Sequence, residues 1–252
     1  MVGLMFCEFA DTLSQESSPQ VAELVTLLQL TDSAFPTGRY IHSYGLEAFA
    51  QEQEGLVTDA AALLDMLRDA IRFGVARSDG VALACAHRAV SRRDEADVAL
   101  LIAADHRLTA VKLAREARDA SIRMGRALLR EAAGIFGGGA VLEFARLVEG
   151  GESPGNHAVA FGIVSASSGI PQFAAIASEL YAFAASWVAA ATRLGLTDYH
   201  TAQDLLSRLR AVIAKAVSEA AWCAVSDISS GTPLLDIMAM RHEQAPVRLF
   251  AS

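Results

Sequence analysis

Two short stretches of this 252-residue chain concentrate the side chains that could do chemistry. Residues 28–47, LQLTDSAFPTGRYIHSYGLE, hold Asp32, Arg39, Tyr40, His42, Tyr44 and Glu47 around a Pro-Thr-Gly turn. Residues 232–252, TPLLDIMAMRHEQAPVRLFAS, hold Asp236, Arg241, His242, Glu243 and Arg248. His42 with Glu47, and His242 with Glu243, combine the imidazole and carboxylate types that ligate nickel or zinc. The same types cap helices and line interfaces, and that is the reading adopted. Polar density of this kind around a turn marks a junction that contacts something.

The rest of the chain offers no catalytic apparatus. The other histidines, His87, His106, His157 and His200, are scattered, and the HExxH pattern of zinc hydrolases is absent. GIFGGG at 134–139 lacks the lysine of a phosphate-binding loop. SASSG at 165–169 fails the spacing of a nucleophile elbow. Cys7, Cys85 and Cys223 are isolated and odd in number, so they form neither a disulfide framework nor a CxxC metal pair, and a reducing cytosol is expected. A protein that works by binding other proteins is the expectation, with no catalytic, cofactor or metal site of its own.

Composition narrows the class of partner. The net charge of −8 argues against nucleic acid, which demands a concentrated basic surface. Of 21 basic residues only Lys112 and Lys215 are lysines, and arginine suits bidentate carboxylate pairing at interfaces. The N-terminal stretch MVGLMFCEFADTL carries Glu8 and Asp11 without a basic start, so it does not read as a signal peptide. The apolar run near 180–192 is too short to span a bilayer. A cytoplasmic protein without membrane contact is expected.

The elements that must position the two stretches read as helices throughout. Alanine is abundant, apolar residues make up 53% of the chain, and 3.6-residue periodicity recurs between glycine and proline breaks. The pattern predicts a loose arm over 1–19 and one all-α domain over 20–252, of roughly ten helices, with a tail from about 229 that is irregular or short-helical. Predicted helices run over 20–31, from 42 or 43 to 54, from a cap at Thr58 or Asp59 through Val75, and over 78–89, 94–107 and 109–133. Glycine-rich breaks follow at 134–139 and 150–157. Helices are then predicted over 156–168, from Pro171 at a first-turn position to Arg193, and over 198–225. The 109–133 helix carries Arg115, Arg118, Arg123, Arg126 and Arg130, read as a solvated basic face.

The two dense stretches resemble the opening and closing signatures of the urease accessory UreF family. Segments 112–129 (KLAREARDASIRMGRALL), 156–170 (NHAVAFGIVSASSGI) and 186–206 (SWVAAATRLGLTDYHTAQDLL) resemble it in the same order, so the likeness spans about 25–252. The resemblance implies an all-helical, UreF-like bundle that forms homodimers and is not an enzyme. It implies an assembly factor bridging the GTPase UreG to the scaffold UreD (also called UreH), for GTP-dependent nickel insertion into apo-urease. Nickel and GTP would be handled by the partner GTPase.

Carried over residue by residue, the resemblance implies that Tyr40, His42, Glu47, Arg193 and Arg248 face UreG. It implies that Tyr181 lies at the dimer interface and that Asp236, Arg241, His242 and Glu243 form the C-terminal signature. Two rival roles are weighed beside it: a GTPase-activating protein inserting Arg193 or Arg248 into UreG, and a nickel store, for which the scattered histidines are poorly suited. The chain departs from the family at Leu196-Thr197-Asp198-Tyr199, where relatives carry a Pro-Leu-x-Gln turn, and at Arg39, where many have a small residue.

Overall fold

The computed structural model describes residues 20–39, 42–52, 59–91, 96–245 and 248–250. Among them every regular element is helical. After α1 (20–31) come α2 (Leu46–Glu52), α3 (Ala60–Asp69), a π-helical segment (Ala70–Gly80) and α4 (Val81–Ser91). Next are α5 (Val98–Val111), α6 (Arg115–Ile135), α7 (Gly139–Glu149) and α8 (His157–Ser167). The chain continues through α9 (Gln172–Arg193), α10 (Tyr199–Arg208), α11 (Arg210–Ala220), a 3-10 turn (Val225–Asp227) and α12 (Pro233–His242). The all-α expectation holds; the 1–19 arm lies outside the described residues.

The core is built around α8, whose residues from His157 to Ser165 are all buried. It packs most extensively on α4 and α6. Gly162 permits the approach: a Cβ there would stand 2.6 Å from the Leu83 carbonyl oxygen. The loop entering α8 is fixed by the fully buried Asp105 of α5. Its carboxylate accepts from Ser153 Oγ and the Gly155 N–H at 2.6 Å, and from the N–H and Nδ2 of Asn156 at 2.9 and 2.7 Å. A buried carboxylate needs such donors, and these four convert a glycine break into a defined turn.

Helix α9 is 22 residues long, and its length and composition would suffice to cross a membrane, contrary to the shorter span expected. It is instead mostly a core helix, burying Ile176, Leu180, Phe183 and Trp187 inside the bundle.

Several boundaries differ from expectation for identifiable reasons. The predicted break at Ser78 is absent, because α3, the π-helical segment and α4 are continuous. Ser78 Oγ donates to the Gly74 carbonyl instead of capping, and Asp79 pairs with Lys112 at 2.8 Å. At the end of the π-helical segment the Val81 N–H bonds the Ala76 carbonyl, five residues back. The Phe73 and Arg77 carbonyls accept from the N–H groups of Gly231 and Ser229, at 2.8 and 3.1 Å, and so guide the chain toward α12. The 198–225 segment is two helices meeting at Leu209, and of the two readings of the tail, irregular or short-helical, α12 realises the second. Helix α5 runs past Thr109, whose hydroxyl bonds the Asp105 carbonyl within the helix. Pro171 stands one position earlier than expected, as the cap before α9.

Candidate functional site

The opening and closing stretches meet in space. Tyr44 and Gly45 adopt positive φ, 52° and 83°, and turn the chain sharply into α2. A Cβ at Gly45 would lie 2.9 Å from the Leu235 carbonyl oxygen, so glycine lets the start of α2 sit against α12. That turn delivers Glu47, 1% exposed, to the centre of the junction. Its carboxylate accepts from His242 Nε2 at 2.9 Å and from the backbone N–H groups of Leu249 and Phe250 at 2.8 and 3.2 Å. The carboxylate thus ties the last turn of α12 and the tail to α2.

A second carboxylate, Glu116 in the first turn of α6, completes the network. Its Oε2 lies 3.3 Å from His242 Nδ1, and its Oε1 accepts from Arg248 Nη1. An acidic side chain is favoured at a helix N-terminus. Both ring nitrogens are therefore taken by carboxylates, and among the described residues no group of three His, Cys, Asp or Glu side chains is arranged to hold a metal.

Glu243 caps α6 from a distance. The residue preceding α6 is Ala114, which has no side-chain oxygen to offer the first-turn N–H groups. Glu243 Oε1 accepts the Glu116 N–H at 2.9 Å, and its other oxygen lies 3.7 Å from Arg115 Nε. Arg193, at the end of α9, places its guanidinium 4.4 Å from the Phe250 ring centroid, a cation–π distance. His42 is buried beside the junction, and its backbone carbonyl accepts from Ser186 Oγ at 3.3 Å. Burial first, then the positive charge of Arg123, push its imidazole down to about 4 against the opposing pull of Glu116.

Of the residues singled out in the sequence, Glu47, His242, Glu243, Arg248 and Arg193 converge, with His42 adjacent. Three do not join them. Tyr181 is half-exposed on α9, about 18 Å along the helix axis from Arg193. Asp236 lines a half-open cavity with Lys112, and Arg241 stands on the exposed side of α12. Tyr40 lies outside the described residues. Glu116 and Phe250 were not singled out. Glu116 is submerged in a segment whose arginines dominate the pattern, and nothing in the sequence alone pairs it with a residue 126 positions away.

Comparison with known proteins bears on what such a junction serves. The UreF family model matches residues 57–210. The urease accessory protein UreF of Paenarthrobacter aurescens (strain TC1) is 33% identical over 228 residues, 90% of this chain and 97% of that protein. UreF 2 of Brucella suis biovar 1 (strain 1330) is 32% identical over 90% of this chain and 91% of its own length. The UreF of Bacillus sp. (strain TB-90) is 28% identical over 91% of this chain and 99% of its own length. An all-helical chain aligned with these proteins along nine-tenths of its length belongs to the UreF family of urease accessory proteins.

Proposed function

We propose that this chain is a non-enzymatic, cytoplasmic assembly factor that bridges the GTPase UreG and the scaffold UreD/UreH during nickel insertion into apo-urease. The observation that carries this reading is the convergence of Glu47, Glu116, His242 and Arg248, which organises two distant segments into one surface. Arg248, with 37% of its side chain exposed, and the neighbouring Leu249, 72% exposed, are available at its rim. Arginine and large apolar side chains at such a rim suit protein recognition. Nickel is cargo in this scheme, and GTP belongs to the partner.

A homodimer fits the same scheme. The outward side of α9 carries Phe173, 45% exposed, and Tyr181, 50% exposed. The activating-arginine reading is less favoured, because the Arg193 guanidinium is engaged over Phe250 and Arg248 with Glu116. Mixing the purified chain with UreG and UreD and following complex size and nickel transfer tests the bridge. Co-elution of both partners is expected; co-elution of neither would reject it. Unchanged complex formation with slower GTP turnover in Arg193→Ala or Arg248→Ala would favour the activating arginine instead.

A further inference from the structure

The arginines of α6 read in sequence as one solvated stripe, but the structure divides them. Arg118 donates to the carbonyls of Lys112 and Leu113, and Arg115 lies 3.7 Å from Glu243, so these two serve the start of their own helix. Arg126 and Arg130, nearer its end, line a groove of about 540 Å³ between α6 and α7, and Arg146 lines it from α7. All three are exposed. Arg126 and Arg130 each commit only Nε, to the Pro154 carbonyl and to the neighbouring Glu131. Arg146 has no side-chain partner among the described residues. The lining holds a single carboxylate, Glu149, which forms no ion pair among them either.

The rest of the lining is mostly apolar. Leu129, Ala133, Ala145 and Val148 contribute to it, and Leu142, 43% exposed, adds a large uncovered side chain. Arg126, Leu129, Arg130 and Ala133 recur at three- and four-residue spacing, as do Leu142, Ala145, Arg146 and Glu149. One face of each helix, about 10 Å long, therefore makes the groove, which matches roughly two turns of a third helix.

Two requirements meet in this groove. Apolar side chains with small alanines between them admit another helix at close range, whereas exposed guanidiniums call for carboxylates. Three arginines face one glutamate in the lining, on a chain whose net charge is −8, so the local excess runs against the composition. A nucleic-acid backbone would satisfy the arginines but leave the leucine uncovered and meet repulsion from the rest of the chain. The geometry points to a docking groove for an acidic amphipathic helix of a partner protein. Its apolar stripe covers Leu142 and the alanines, and its Asp or Glu side chains pair with Arg126, Arg130 and Arg146. The groove belongs to α6 and α7, and nothing in this assignment requires the bridging role.

Fluorescence anisotropy of the full chain with a labelled peptide of about 18 residues tests the assignment, the peptide carrying leucine at i, i+3, i+4 and i+7 and glutamate and alanine elsewhere. Saturable binding that weakens with added salt is expected. Arg146→Glu should weaken it on the order of tenfold and Leu142→Ser severalfold. Both residues are exposed, so both variants should fold, which circular dichroism checks. Arg208→Glu, the same charge change on α10, should leave binding unaltered. A peptide of equal composition with its helical period scrambled, and oligothymidylate, are expected not to compete. Absence of saturable binding, equal binding by the Arg146→Glu chain, or equal competition by the scrambled peptide or oligothymidylate would overturn the proposal. So would a change in sedimentation of the chain alone on Arg146→Glu, which would make a second copy the occupant. The assay contains neither UreG nor UreD, so its failure and failure of the bridging role are distinguishable.

Discussion

Glu47 and His242 stand 195 residues apart in sequence and 2.9 Å apart in space, each 1% exposed. The contact joins α2 to α12, and the same carboxylate receives two consecutive N–H groups of the tail. Removing the acceptor leaves several buried donors stranded at once. Glu47→Ala is expected to lower unfolding free energy by about 3 kcal/mol, measured by urea denaturation. It should also speed proteolytic cleavage around residues 243–250. The double variant with His242→Ala should cost less than the two single variants added together, because they share one interaction.

In the bridging role proposed above, Arg248 separates recognition from stability. Its side chain is 37% exposed, so its contact with Glu116 is worth no more than about 1 kcal/mol to folding. Arg248→Ala should therefore melt almost normally while losing UreG from the assembled complex on a sizing column. Intact complex with the variant would remove Arg248 from the partner surface.

Tyr181 makes a similar separation on another face. Half-exposed on α9, it contributes little to the isolated bundle. In the homodimer proposed above, Tyr181→Asp is expected to leave Tm within a few degrees and to convert dimers to monomers in light scattering, since charge at an interface core is strongly disfavoured.

Two buried groups set the acid limit of the fold. His42 is held at about 4 in the native state against 6.5 in the unfolded chain, so the unfolded state binds the extra proton between these values. Its contribution is complete above about 6.5 and is lost as pH falls toward 4. Burial by itself would raise Glu179, but Arg39 and then His157 outweigh it and hold it at about 2 against 4.5; it contributes fully above 4.5 and loses that contribution as pH falls toward 2. Stability measured against pH should fall in two successive windows. His42→Asn should flatten the upper one and Glu179→Gln the lower.

Glycines of opposite context should respond oppositely. Gly134 lies in the last turns of α6 with open space around it, so Gly134→Ala should stabilise by about 0.5–1 kcal/mol. Gly162→Ala forces a Cβ to 2.6 Å from the Leu83 carbonyl oxygen and should destabilise by ~2 kcal/mol or more, both read by thermal unfolding.

Much of the fold was legible because helices write their period and their ends into local sequence. The breaks at GIFGGG and GGESPGNH follow α6 and precede α8 as expected, while α7 between them was not among the expected helices. Ser78 and Asp79 misled because they look like a helix start, while their actual partners, Gly74 and Lys112, satisfy them inside a continuous helix. The bend at Leu209 has no proline or glycine to announce it. In the site, dense polar side chains marked Glu47, His242, Glu243 and Arg248. The partners that give them meaning, Glu116 and the Leu249 and Phe250 amides, come from tertiary contact and leave no local trace. The Arg39–Glu179 pair, 140 residues apart, was hidden for the same reason.

Helix α6 owes its first-turn cap to Glu243, a residue synthesised long after the helix itself. On the ribosome, α6 therefore emerges with a frayed beginning, and Glu47 waits through 195 further residues for its imidazole. The region can be completed only when translation has run past α12. A message cut short before that point yields a polypeptide with most of its bundle but without the junction proposed here as the face that partners read.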